Sequence, residues 1–319
     1  MSNQLDSSSG VDAEKLDGLA NANSAEATGS VWKGRLLIVL AAVLWSTSGF
    51  FAKAPIFDQW PEDSRGVLLA FWRAIFASAI LILMVRRIAW SWKMIPMVAI
   101  FASMNWTYLT AMVYCESTLA IWLQYTAPAW VFLVGWVCFR DRPVWRDWVL
   151  LGFAAVGVGV ILQAEFWGAS PVGVRYGLAS GLGFAGVVVM LRWLREYDAA
   201  WLIFLNHIVT AILLLPFLLQ QGVYPTGVQW GYLACFGMLQ MGIPYLLFAR
   251  AVHSVSSHEA SGLTLLEPIL VPVWVFLAWH DSPDYESPAW TTIVGGGLIL
   301  AGLVARYAYK SDKNSAGES

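Results

Sequence analysis

Residues Ser257–Pro272 read SHEASGLTLLEPILVP, inside an apolar run that continues to Trp279. If that run is helical, Glu267 lies roughly 13 Å from its nearest polar end. A carboxylate at such depth in hydrocarbon costs at least about 2.5–3.5 kcal/mol, so it is expected to face protein or a wet cavity. Pro268 follows at once. A proline inside a helix removes a backbone hydrogen bond and presses on the carbonyl four residues back, so the spacing predicts a bent or broken helix beside the acid. The same layout stands 140 residues earlier, at Gln124-Tyr125-Thr126-Ala127-Pro128. Two helix breaks, at Pro128 and Pro268, thus organise the chain as two halves.

The composition agrees with a membrane chain. It is 58% apolar and 13% charged over 319 residues, where soluble domains average about 25% charged. Ten apolar segments can be marked, at 36–54, 66–85, 94–113, 118–139, 148–163, 172–191, 199–219, 228–249, 258–279 and 290–308. Most reach the roughly 20 residues a transmembrane helix needs; the fifth is the shortest. Backbone groups in lipid must be satisfied internally, which favours helices, and the alternating ten-residue strands of a barrel are not present. Residues 1–33 hold Asp6, Asp12, Glu14, Asp17 and Glu26 among Ser, Ala, Asn and Gly. They read as a disordered cytoplasmic tail rather than a signal peptide, and 310–319 read likewise. Cys115, Cys138 and Cys235 have no metal-ligand spacing and are read as small apolar residues.

Placing the N-terminus in the cytoplasm puts 14 Lys and Arg on the inner side against two, Arg65 and Arg175, on the outer side. Lys15 is too distant to count, and Lys53 and Arg73 are taken as intramembrane. The asymmetry holds at every loop, as the positive-inside rule requires, and an error of one span would scramble it. Twelve of the 19 tryptophans, from Trp32, Trp60, Trp90 and Trp92 to Trp167, Trp201, Trp279 and Trp290, fall at span ends and read as interfacial belts.

The 140-residue shift also aligns Ala111 with Ala251, Ser117 with Ser257, Ala120 with Ala260 and Asp141 with Asp281. Each half holds five spans. Five is odd, so the second copy inserts upside down, with Asp141 inside and Asp281 outside. Two similar halves in opposite orientations give inward- and outward-open states of comparable energy, the plan of many secondary transporters.

Ala41-Ala-Val-Leu-Trp45-Ser-Thr-Ser-Gly49, ending at Lys53, resembles the first span of the drug/metabolite transporter superfamily, EamA-type branch. Arg73 in Phe71-Trp-Arg-Ala-Ile is similar to that branch's second-span arginine, and Ala251, Ser257, Ala260 and Leu266-Glu-Pro to its eighth-to-ninth-span pattern. The resemblance covers about 34–308, with one five-helix repeat at 34–165 and a second at 170–309. Two departures stand out. Asp141 and Asp281 replace the family's usual Glu, and Ala127 stands where the second half has Glu267. The resemblance implies ten helices, alternating access and export of amino acids or related small metabolites.

Candidate substrate-binding residues are Trp45, Ser46, Arg73, Asn105, Tyr108, Gln124, Tyr125, His207, Gln240, Tyr245 and Glu267. Glu267 is either a proton-titrating coupling group or a cation-contacting one near the central cavity, or else a carboxyl that ties the broken helix to a neighbouring backbone. Arg73 binds a substrate carboxylate, pairs with an acid to lock the fold, or snorkels outward. His207 reads as an interhelical hydrogen bond or a proton relay, and Lys53 as a snorkelling side chain. The polar and aromatic members suggest a wide, weakly polar cavity at mid-depth. Gly181-Leu-Gly183-Phe-Ala-Gly186 matches a dinucleotide fingerprint, but no strand precedes it, so it reads with Gly152, Gly157, Gly159, Gly177, Gly295, Gly297 and Gly302 as helix packing. Two functions compete: a metabolite or amino-acid exporter, and a drug or organic-cation efflux protein using Glu267 and the aromatics as cation partners. An enzyme is disfavoured, because no metal cluster, nucleophilic constellation or cofactor motif is present. The expected partners are a small-molecule substrate, the bilayer and a proton, with no nucleic acid. The sequence places the chain in the cell membrane, both termini cytoplasmic, and leaves its oligomeric state open.

Overall fold

The computed structural model describes residues 31–139, 144–165, 171–251, 254–255, 257–283 and 285–308, and among these the regular structure is all helix, without a strand. Helix α1 (31–46) passes through a turn at Thr47 into α2 (Ser48–Ala52). There follow α3 (Glu62–Leu81), α4 (Met94–Tyr114), α5 (Ser117–Gln124), α6 (Ala127–Phe139) and α7 (Trp145–Glu165). The second half comprises α8 (Pro171–Trp193), α9 (Ala199–Gln221), α10 (Gln229–Gly237), α11 (Ile243–Ala251), α12 (Ser257–Thr264), α13 (Leu266–Trp279) and α14 (Trp290–Ala308). A five-residue π turn, Met238–Gly242, joins α10 to α11.

Among the described residues eight helices are long and apolar enough to cross a membrane, counting α1–α2, α5–α6 and α10–α11 as single spans. α4 matches them in length at 21 residues but buries Asn105 and Thr110, and α14 supplies a shorter apolar helix. The result is an all-α integral membrane protein of ten spanning helices, five in each half. Large apolar side chains such as Leu213, Phe217, Phe276 and Leu277 point outward, as a lipid-facing surface demands.

Helix contacts follow the repeat. Spans two and seven (α3, α9) pack together, as do spans five and ten (α7, α14), and α5 of span four meets α13 of span nine. Each is a contact between equivalent spans of the two halves. α4 lies along α8, and the matching contact between span eight and span one runs through Ile38, Ala251 and Val255. The α7–α14 crossing is made at Gly157 and Gly295, where a Cβ on either would lie 2.5 Å from the other's carbonyl oxygen. Larger residues there would force the helices apart.

The loops gather at two ends. The end nearest both termini carries the ion pairs Arg35–Glu259, between α1 and α12, and Arg306–Asp147, between α14 and α7, the latter at 2.7 Å. There Asp198 caps α9 through Ala200 N at 2.8 Å and also accepts the backbone N–H groups of Arg86 and Arg87, each at 3.1 Å. Burial pushes the Asp198 carboxyl up, but these amides and that of Trp201 outweigh it and hold it below its usual range.

Several expectations are corrected. The fifth span is a full 21-residue helix, because Asp147 accepts the Val144 N–H at 3.0 Å and starts it a turn earlier than the apolar run. Among the span-end tryptophans, Trp60 is buried against Phe57 and Trp279 stacks on Phe50. Gly152, Gly159 and Gly297 face open space, so they are not packing contacts. Both tails, Asp141 and Trp167 lie outside the described residues.

Candidate functional site: two helix breaks and a far-end vestibule

The two proline breaks face each other. Between α12 and α13, Thr264 O would ordinarily accept from residue 268 and Pro268 O from residue 272, but both donors are prolines without an N–H. The first half fills both places. Tyr125, in the break between α5 and α6, donates its hydroxyl to Thr264 O at 3.2 Å, and Trp122 Nε1 donates to Pro268 O at 3.1 Å. The Tyr125 hydroxyl also lies 2.9 Å from Glu267 Oε2. Gly181 of α8 makes room for the first break, since a Cβ there would sit 2.6 Å from Thr126 Oγ1.

Beside the breaks is a buried polar network. Arg73 on α3 is 1% exposed and donates to Asn105 Oδ1 on α4 and to Gln240 Oε1 at 3.4 Å. Asn105 Nδ2 returns to Ala70 O at 3.3 Å, and Gln240 Nε2 reaches Trp45 O at 3.1 Å. Gln240 sits in the π turn, a local widening of the helix often found where a side chain must be aimed. Tyr108 and Phe236 present ring faces to the guanidinium at 5.8 and 5.1 Å, and Tyr108 bonds Ser48 at 2.9 Å. Among the described residues no carboxylate lies within 4.0 Å of Arg73, and its Nε has no partner. A cation without a counter-anion is therefore held at mid-depth by neutral groups, with Glu267 of opposite charge nearby but unpaired with it.

Of the expected residues, Arg73, Asn105, Tyr108 and Gln240 form this network, and Tyr125 and Glu267 form the break contact. Ser46 accepts from Trp274 Nε1 at 2.8 Å, and Trp45 meets Tyr245 edge-on at 5.3 Å. Gln124 is buried at the end of α5. His207 bonds its own helix at Ile203 O (2.8 Å), lies against Phe101 and leaves Nε2 buried without a partner. Instead of lining a wide cavity, Ser46, Arg73, Asn105 and Gln240 are closed off from solvent in this conformation and bond other protein groups.

Sequence reasoning missed a second polar region at the end far from the termini. A cavity of about 380 Å³ opens there, lined by Lys53, Arg65, Glu116, Trp279, Tyr285 and Glu286 among others, and it reaches down to Ser117 and Val275. Ser117 and Val275 of this lining also crowd Gly49, next to Ser48, where a Cβ would lie 3.1 Å from Ser117 and 2.8 Å from Val275. At the opposite end, Ile38, Ala251, Val255 and Ala260 pack into an apolar plug beside the Arg35–Glu259 pair. Burial pushes the Glu116 carboxyl up to about 7, against the pull of Thr292 and the Ala289 backbone. Its signal in the sequence was an acid at a span end, at the same level as Lys53.

A two-fold bundle with opposed helix breaks and unpaired charges at its midplane is the architecture of a secondary transporter. The chain belongs to the EamA-like transporter family, whose model matches residues 32–163 and 171–306, once per half, and with it to the drug/metabolite transporter superfamily. It is similar to an "Uncharacterized transporter" of Archaeoglobus fulgidus, 25% identical over 274 residues, covering 85% of this chain and 95% of that one. It is also similar to an "S-adenosylmethionine uptake transporter" of Rickettsia prowazekii, 21% identical over 221 residues, covering 69% of this chain and 72% of the relative. A solved crystal structure shares the fold with a TM-score of 0.58 at 17% identity, covering 85% of this chain and 95% of that one.

Proposed function

We propose that this transporter moves α-amino acids or close derivatives across the cell membrane by alternating access, with export as the net direction and both termini cytoplasmic. The observation that carries the reading is the buried Arg73, which has only neutral partners, set near Glu267 in the opposite half. A zwitterion offers each a partner: its carboxylate suits the guanidinium fork, and its ammonium suits the carboxylate. Bound between the halves, such a ligand removes the cost of two uncompensated charges. The far-end cavity, which ends at Ser117 and Val275, and the plugged termini end are the two sides of one alternating-access state. The lysine and arginine asymmetry supports the cytoplasmic termini. The Rickettsia relative's printed substrate, S-adenosylmethionine, is itself an α-amino acid derivative.

The test is counterflow in proteoliposomes. Saturable exchange of α-amino acids, competed only by compounds bearing both ammonium and carboxylate, is the expected result. Exchange of organic cations lacking a carboxylate would transfer the site to drug efflux. Exchange of neither class would end the proposal. Abolition by a protonophore would add proton coupling through Glu267, and indifference would make the carrier facilitative.

A further inference from the structure

We propose that the far-end vestibule is a docking subsite for cationic α-amino acids, separate from the central network, with Lys53 holding the carboxylate and Glu116 and Glu286 the two positive centres. The proposal rests on the transporter reading and assigns a substrate class to a second place on the path.

The charges of the cavity wall carry the argument. Arg65 and Asp58 neutralise each other at 2.8 Å. What remains is one cation, Lys53, and three acids, Glu62, Glu116 and Glu286. Among the described residues, neither Lys53 nor Glu116 forms an ion pair within 4.0 Å, although both line the same space. Glu116 Oε1 is shut from solvent and has no hydrogen-bond partner. Lys53 and Glu116 line one cavity without pairing with each other, although Thr292 and the Ala289 backbone bond the carboxyl, and a ligand of the opposite charge pattern offers each a partner. A neutral amino acid satisfies Lys53 and one acid only, and an anionic one adds repulsion. An amino acid with a second cation, such as a guanidinium, an ammonium or a sulfonium, matches the remaining acidic excess. Tyr285 and Trp279 supply aromatic surface in the same wall, where a soft cation gains further contact. The cavity, at about 380 Å³, accommodates a ligand of this size.

The groups that set the charge of Glu116 are Lys53 and Glu286 across the cavity, Thr292 of α14 and the Ala289 backbone. Because the carboxyl titrates near 7, its charged form grows as pH rises through neutrality, and cation docking strengthens in that direction.

Binding to the full-length protein in nanodiscs, read by radioligand displacement, tests the proposal. The probes are L-arginine, S-methyl-L-methionine, L-leucine and agmatine, which is arginine without its carboxylate. Wild-type protein should prefer arginine and S-methylmethionine over leucine. Glu116→Gln should weaken arginine about tenfold or more while leaving leucine within about twofold. Lys53→Gln should weaken arginine but not agmatine, and Lys53→Arg, which keeps the charge, should restore arginine binding and thereby exclude misfolding as the cause. Arginine affinity should rise between about pH 6 and 8 in wild type and stay flat in Glu116→Gln. Equal binding of arginine and leucine, or an unchanged ratio in Glu116→Gln, overturns the subsite. If leucine exchanges in the counterflow assay while these patterns are missing, the subsite alone falls. If nothing exchanges there, the transport reading falls with it.

Discussion

The break between α5 and α6 and the break between α12 and α13 occupy equivalent places in the two halves, yet they are built from opposite chemistry. The first contributes donors, the Tyr125 hydroxyl and the Trp122 indole. The second contributes acceptors, the carbonyls of Thr264 and Pro268 and the carboxylate of Glu267. One proline suffices in the first, whereas Pro268 and Pro272 strip two donors from the second. The backbone repeat is symmetric and the site is not: duplication supplied the geometry, and divergence divided the charges and the hydrogen-bonding roles between the halves.

The sharpest way to break this comparison is to move the acid. Glu267→Gln should lower the initial rate of counterflow about 10–100-fold, the loss expected when a charged partner of the ligand is removed. Adding Ala127→Glu to that variant places the acid in the equivalent position of the other break, away from Tyr125's acceptor side. It should not restore the rate, and restoration would mean that the two breaks are interchangeable.

A smaller effect reads the backbone roles. Trp122→Phe leaves Pro268 O bare and should lower stability by about 1–3 kcal/mol, measured by thermal denaturation in detergent. Pro272→Ala returns an N–H to the helix position that Pro268 O would normally use. In that background the loss from Trp122→Phe should shrink by about 1 kcal/mol. An undiminished loss would assign Trp122 a packing role only. The smallest effect is expected at the first break. Pro128→Ala should change stability by less than about 1 kcal/mol and counterflow by less than about twofold, because α6 already begins at Ala127 and the break holds without a second proline. A larger loss there would restore symmetry between the breaks.

Ten spans, their division into two halves and the family were legible in the sequence, because apolar length, odd span number and the 140-residue shift are one-dimensional signals. The position of Glu267 beside a broken helix was legible for the same reason. Its partner was not: Tyr125 was marked as a cavity group, and only the folded chain shows it reaching across to Thr264 and Glu267. The engagement of Arg73 by Gln240 depends on the π turn at Met238–Gly242, which leaves no trace in a 3.6-residue pattern. The vestibule was hidden because Lys53, Glu116 and Glu286 come from three loops, each unremarkable alone. The fifth span looked short because Asp147, a polar residue, begins it.

The hydrogen bonds that α12 and α13 receive from the first half have a consequence for biogenesis. Inserted on its own, the second half would carry Thr264 O and Pro268 O into hydrocarbon without the Tyr125 hydroxyl and the Trp122 indole that donate to them from the first half. The first half emerges earlier from the ribosome and presents Trp122 and Tyr125 before they are needed. The order of synthesis thus matches the order of dependence, and a gene split between the halves would yield a stable carboxy-terminal fragment only where its amino-terminal fragment is co-expressed.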